Sequence, residues 1–342
     1  MYSPSDAQYL LVRCEDERTE SLAEEDYWAE AAEYADSVGV DVINSSLGYH
    51  DFDDASTSHR YAEQDGQTAL ISRTASMLAD KGIVCVNSAG NDGMGTWKRI
   101  NFPADAKDII TVGSVNPQGV NAPFSAVGPT ADGRIKPDVM APGTNIVSSY
   151  SSYYLEHHPS AWDIVNSDKE HFDFEGRTYA WNYNSGTSMS TPAAAGAIAL
   201  WLQACPTLTP DQVRELIAAT SRRHDPSLDY PNNYYGYGEI DVYAGLLRLL
   251  GFTAIPDVSQ RQAQGVAIRP VGDGVELRFD SAPSHTFVVN VYGVDGRRVV
   301  SHRLAPEGCS YHISLAGAPR GVYAVQVNTG SRATTGSQLI RH

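Results

Sequence analysis

Residues 83–90, "IVCVNSAG", begin as an unbroken apolar run and end in small and polar side chains. A strand without polar alternation is buried on both faces, as in a parallel sheet covered by helices. The neighbouring segments agree. "AEEDYWAEAAEYADSVG" (23–39) sets Trp28, Ala31, Ala32, Ala35 and Val38 at helical spacing and stops at Gly39. "VDVINSSLG" (40–48) follows as a short β-branched strand, and "TALISRTASMLADKG" (68–82) repeats the helix, with Leu70, Ala75 and Leu78 before a Gly82 stop. "DIITVGSV" (108–115) and "TNIVSS" (144–149) supply further strands. In such sheets chemistry gathers at the carboxyl ends of strands, here "NSSLG" and "NSAGND".

"NSGTSMSTPAAAG" (184–196) places a hydroxyl, Ser188, where a helix is about to start. Gly186 removes a side chain just before it, Pro192 suits a first helical turn, and an apolar run follows. Serine is a poor nucleophile until a base takes its proton, and nothing beside Ser188 in the sequence can do that. Read alone, Ser188 is also a helix-capping serine and Asn91 a turn asparagine. "TPAAAGAIALWLQAC" (191–205) continues as a buried helix. In "TPDQVRELIAATS" (209–221) Thr209, Pro210 and Gln212 form a capping-box start. "PNNYYGYGEID" reads as a loop, and "VYAGLLRLLG" (242–251) as a short closing helix.

The chain has 342 residues, with 25 Lys+Arg against 41 Asp+Glu and a formal charge of -16. Such an acidic surface repels phosphate backbones and argues against nucleic acid as a partner. No apolar run approaches the ~20 residues of a membrane span. The first twenty residues lack the basic and apolar segments of a signal peptide, so the chain is expected to be intracellular or to have its true N-terminus elsewhere. Cys14, Cys85, Cys205 and Cys309 lie far apart without a C-x-x-C pair, which reads as separate buried thiols rather than a metal site.

Composition changes after Gly251. "TAIPDVSQRQAQG" (253–265) is polar and aperiodic, and short strand patterns follow: "GVELRF", "TFVVNVYGV", "RRVVSHRL", "YHISL", "GVYAVQV" and "GSQLI". Asp295-Gly296 is a hairpin signal. The expected organisation is an α/β domain over 1–250, a linker over 251–264 and a small all-β sandwich over 265–342.

Four stretches, in order, resemble the subtilisin-like serine peptidases. "SGTSMSTPAAAG" is similar to the nucleophile motif of that family and places the nucleophile at Ser188. "VNSAGND" resembles the strand end that carries its oxyanion-hole asparagine, here Asn91. "FSAVGPTADGRIKPDVMAPGTNI" (124–146) resembles the segment linking those two sites, and "DVINSSLG" the strand lining the substrate cleft. The resemblance implies a serine endopeptidase with a parallel sheet flanked by helices, acting on peptide or protein substrates. It assigns Ser46, Leu47, Gly48, Ser88, Ala89 and Gly90 to cleft edges that pair with an extended peptide. The chemistry agrees. A tetrahedral oxyanion needs aimed donors, and the Ser188 backbone N–H at a helix start and the Asn91 amide are two such groups.

In the family an aspartate in D-[ST]-G and a histidine in H-G-T precede the "INSSLG" strand, and neither motif occurs here. Each of the ten histidines has a blander home: His50 and His59 flank the acidic loop "HDFDDASTSH", and His157, His158 and His171 sit in what reads as a loop insertion. "YSPSDAQYLLVR" (2–13) resembles the strand after the family's histidine helix. The expectation is a domain incomplete at its N-terminus, its histidine and aspartate lying upstream of Met1, and nearly inactive as it stands. An inactive homologue that binds extended peptides is the alternative; a surface adhesive protein is a third. No cofactor is expected. Structural calcium, which many relatives bind, stays open, although Asp51, Asp53 and Asp54 lack the spacing of a calcium loop.

The C-terminal segment resembles the sorting domain of proteins exported by the bacterial type IX secretion system, through "VYGVDGRRVVSHRL", "ISLAGAPRGVYAVQV" and "SQLIRH". That resemblance implies a secreted or cell-surface protein handled by a secretion machinery.

Overall fold

The protein was analysed as a computed structural model. It describes residues 7–16, 18–151, 153, 157, 171–174, 176–250, 266–293, 297–319, 322–328 and 334–341. Two compact units divide the chain, Met1–Ala199 with Thr207–Asp241, and Leu200–Pro206 with Val242–His342.

The first unit is built on four parallel strands in the order β1 (Val42–Ser45), β2 (Val84–Ser88), β3 (Ile110–Val115) and β4 (Val139–Pro142). Register pairs Val42 with Val84, Val86 with Ile110, and Val112 with Val139. β2 and β3 are buried at every position, as their unbroken apolar pattern requires. β1 is not: Val42 and Ile43 are half-buried and Asn44 is exposed, because β1 is an edge strand with a neighbour on one side.

Helices α1 (Ala23–Val38) and α2 (Leu70–Asp80) pack Trp28, Ala32, Ile71, Ala75 and Leu78 with Cys85 of β2 in one core cluster. Gly39 ends α1 in the left-handed conformation at φ 77°, the usual glycine stop. Helix α3 runs Thr187–Ala204, and α4 (Pro210–Thr220) opens with the expected capping box. The helix start changes the reading of Pro192. The proline lies in the second turn, not the first, and so removes an intrahelical hydrogen bond.

Three further differences from the sequence reading are local. β4 carries no independent signal, because "VMAP" is four residues long and ends in proline. "TNIVSS" does form a strand, β5 (Ile146–Tyr150), but outside the parallel sheet. It pairs antiparallel with β7 (Arg177–Asn184), which pairs with β6 (His171–Phe174), so part of the expected loop insertion is a small sheet. His158 lies outside the described residues.

In the second unit α5 (Val242–Leu249) precedes two antiparallel sheets. One holds β11 (Arg298–Leu304), β10 (Phe287–Gly293), β13 (Val322–Asn328) and β14 (Thr334–Arg341). The other holds β12 (Ser310–Ser314), β9 (Gly274–Phe279) and β8 (Val266–Val271). Inward residues of both sheets, among them Leu277, Phe279, Phe287, Val289 and Val325, share one core. The 251–264 linker and the Asp295-Gly296 turn lie outside the described residues. The strands on either side of that turn, β10 and β11, pair antiparallel.

Cys14, Cys85 and Cys309 are free thiols; Cys85 is buried but Cys309 is exposed, so the expectation of buried thiols fails there. Among the described residues no helix is long and apolar enough to cross a membrane.

Candidate active site

The N-terminus of α3 meets the chain just after β1, β2 and β4, at the carboxyl edge of the sheet. Close approach explains Gly143, which follows β4. A Cβ there would stand 2.1 Å from Ser190 Oγ and 2.6 Å from the Gly186 carbonyl oxygen.

Ser188 is half-buried in the first turn of α3, where its N–H has no intrahelical acceptor. Its hydroxyl donates to the Ser46 carbonyl at 3.2 Å, and the Ser46 hydroxyl donates back to the Ser188 carbonyl at 3.0 Å. The second bond has a cause in the sequence. Residue 192 would normally donate to the Ser188 carbonyl, but proline has no N–H. Ser46, the residue after β1, supplies the missing donor.

Asn91 is held by Thr187. The Asn91 side-chain oxygen accepts from the Thr187 N–H at 2.9 Å and from the Thr187 hydroxyl at 3.1 Å. With the carbonyl end so anchored, the Nδ2 end of the amide is left to donate elsewhere. Thr187 Oγ1 also accepts from the Gly90 N–H at 3.2 Å, tying the β2 end to the helix start. The Asn91 amide is thereby held against Thr187, the residue that precedes Ser188 at the start of the helix.

A cleft of about 280 Å³ opens beside Ser188, and Ser46, Leu47, Gly48, Ser88, Gly90 and Asn91 line it. Ala89 does not. It is fully buried, its N–H donates to the Val112 carbonyl, and its carbonyl accepts from the Asn101 N–H. The Leu47 carbonyl accepts from Ser88 Oγ and Asn87 Nδ2, both at 3.2 Å, which locks the two cleft edges together. Asp92, the last residue of "VNSAGND", also lines the cleft, as do Glu15, Glu20 and Asn101, which no motif announced. Sequence reasoning likewise missed Thr187 as the anchor of Asn91, although its place between Gly186 and Ser188 was a usable signal.

Among the described residues no histidine lines the cleft. His50 stacks on Trp97 at 4.7 Å and sets Nε2 3.6 Å from Asp92. His59 sits between Glu25 and Glu63, His224 bonds Glu239, and His157 bonds the Tyr153 carbonyl. The acidic loop is self-satisfied: Asp54 accepts from the Ser56 N–H and hydroxyl, and Asp53 from the Glu20 N–H. Among the described residues no cluster of three or more His, Cys, Asp or Glu is placed to hold a metal.

A helix-start serine and a neighbouring side-chain amide thus meet at the carboxyl edge of a parallel sheet. Residues 6–238 match the Subtilase family, and the chain belongs to that family. It is 34% identical over 213 residues to subtilisin DY of Bacillus licheniformis, covering 62% of this chain and 59% of that protein. It is 33% identical over 211 residues to the serine protease AprX of Bacillus subtilis (strain 168), covering 59% of this chain and 42% of that one. The chain thus spans less than two thirds of these relatives. Among solved structures, the self-cleaved protease domain of PatA aligns with a TM-score of 0.46 at 22% identity, covering 66% of this chain and 68% of that one.

Proposed function

We propose that this chain carries the nucleophile and oxyanion donors of a serine endopeptidase. Ser188 Oγ attacks the carbonyl of an extended peptide lying between residues 46–48 and 88–90. The carbonyl oxygen, becoming an oxyanion, accepts from Asn91 Nδ2 and the Ser188 N–H. Collapse expels the amine and leaves an acyl-serine that water then hydrolyses. The observation that carries this reading is the grip of Thr187 on Asn91 Oδ1, which fixes an otherwise exposed amide with its donor end free.

The reaction needs a base for the Ser188 proton, and the Ser46 carbonyl that the hydroxyl meets cannot take one. The histidine and aspartate of the triad are therefore proposed to come from residues outside these 342. Without them kcat falls on the order of 10⁶-fold, about 8 kcal/mol of barrier. The same lack of a base favours the second reading, an inactive homologue that binds extended peptides in this cleft.

The C-terminal antiparallel sheets are proposed as a sorting module that makes the protein secreted or surface-bound through a secretion machinery; the sequence motifs named above support this. An adhesive role rests on those sheets alone.

Peptide hydrolysis tests the main reading. The chain joined to the coding sequence that precedes it, if that sequence encodes D-[ST]-G and H-G-T, is expected to cleave a casein substrate, and Ser188→Ala to abolish the cleavage. A full-length protein that binds but never cleaves establishes the peptide-binding homologue instead.

A further inference from the structure

The cleft beside Ser188 has a strongly one-sided charge. Among the described residues its lining includes three carboxylates, Glu15, Glu20 and Asp92, and no lysine, arginine or histidine. Asn101 lies between its two edges: a Cβ on Gly48 would stand 2.9 Å from Asn101 Cβ, and one on Gly90 2.9 Å from Asn101 Nδ2. Asn101 is 7% exposed. Its Nδ2 donates to Asp92 Oδ2 at 3.0 Å, while its Oδ1 is buried and has no partner in the protein. A buried carbonyl oxygen without a donor is costly, and a ligand donor would remove that cost.

The acidic groups are poorly neutralised from within. The ion-pair partner of Asp92 is His50, at 3.6 Å. Glu15 accepts the Tyr49 hydroxyl, a neutral donor. Burial, with Glu24, Glu15 and Asp53 nearby, holds the Glu20 carboxyl above its ordinary range.

We propose that this cleft selects lysine or arginine as the residue whose carbonyl Ser188 attacks, its cationic end seated between the Asp92 carboxylate and Asn101 Oδ1. Both groups accept hydrogen bonds and one is charged, so an N–H-bearing cation satisfies both at once. Glu15 and Glu20 add a field that favours cations and repels acidic side chains. The inference rests on the endopeptidase reading, because Ser188 and Asn91 fix which residue of the peptide lies here.

The test is fluorescence anisotropy with the full chain and labelled peptide aldehydes that are identical except for the last side chain: arginine, lysine, norleucine or glutamate. The small uncharged aldehyde terminus lets that side chain enter the cleft beside Ser188 without requiring a bond to the unactivated hydroxyl. Lysine and arginine are expected to bind about tenfold or more tighter than norleucine, the scale of one charge-assisted hydrogen bond, with glutamate weakest. Asp92→Asn is expected to bring the lysine-to-norleucine ratio below about threefold, and Asp92→Glu to preserve most of it. Should Asp92→Asn fail to fold, the wild-type ratio decides, because a charge-based preference must shrink as salt is raised. Equal and competable binding of lysine and norleucine peptides overturns the inference while leaving the peptide cleft intact. No binding of any peptide overturns the cleft reading as well.

Discussion

The Ser46 hydroxyl reaches from the end of β1 to the carbonyl of Ser188 at 3.0 Å, taking the place of the N–H that Pro192 lacks. The peptide group of the proposed nucleophile is therefore held by a residue 142 positions away. Ser46→Ala leaves that carbonyl without a donor and should cost about 1–3 kcal/mol of stability. Pro192→Ala restores a helical donor, so the Ser46→Ala loss should shrink in the Pro192→Ala background. Urea unfolding of the four chains in a double-mutant cycle measures this. Strict additivity would show that the two residues do not share the carbonyl.

Thr187 holds Asn91, the proposed oxyanion donor. Thr187→Val removes one of the two anchors on Asn91 Oδ1 and the acceptor of the Gly90 N–H. In the activated enzyme kcat should fall while KM changes little, because the amide matters most in the transition state. Asn91→Leu should cost more, about 10²–10³ in kcat, the figure measured for the side-chain donor of a subtilisin. Steady-state kinetics on both variants separates the two effects.

His59 makes the first unit sensitive to pH. Burial alone would lower its pKa, but hydrogen bonds and charge from Glu25 and Glu63 outweigh that and raise it above the ordinary histidine value. A raised native pKa means that the stabilisation is complete below about 6.5, the unfolded value, and is lost as pH rises through the native pKa. Stability should decline above neutral pH, and His59→Gln should flatten that dependence. Unfolding midpoints across the range read it directly; an unchanged slope in the variant would remove His59 from the account.

The thiols should separate by burial. Desolvation pushes the Cys85 thiol up to about 12, whereas Cys309 is exposed. Iodoacetamide is expected to modify Cys309 in the native protein and Cys85 only after denaturation. Mass spectrometry of peptides taken through a time course gives the order.

Much of this was legible because the patterns were local. The periodicity of α1 found Trp28, Ala32 and Ala35, all buried, and the apolar run of β2 is buried throughout. The same reading placed Ala31 and Val38 on the inner face, yet Ala31 is half-buried and Val38 is exposed at the helix end. Ser188 and Asn91 were visible as motif residues, but the reason they meet was not. Thr187 and Ser46 act through contacts spanning 96 and 142 residues. Asn101 lies in "RINFPAD", which looks like any loop, and becomes notable only between Gly48 and Gly90. β4 escaped because its four residues gain their strand character from pairing with β3.

Among the described residues no histidine lines the cleft beside Ser188, so the proposed nucleophile meets no base there. Labelling with a fluorophosphonate probe tests this most directly, because the probe needs an activated serine and no particular peptide. The account predicts labelling of the 342-residue chain at the background of its Ser188→Ala variant. Rapid labelling of Ser188 in that chain, lost on Ser188→Ala, would contradict it.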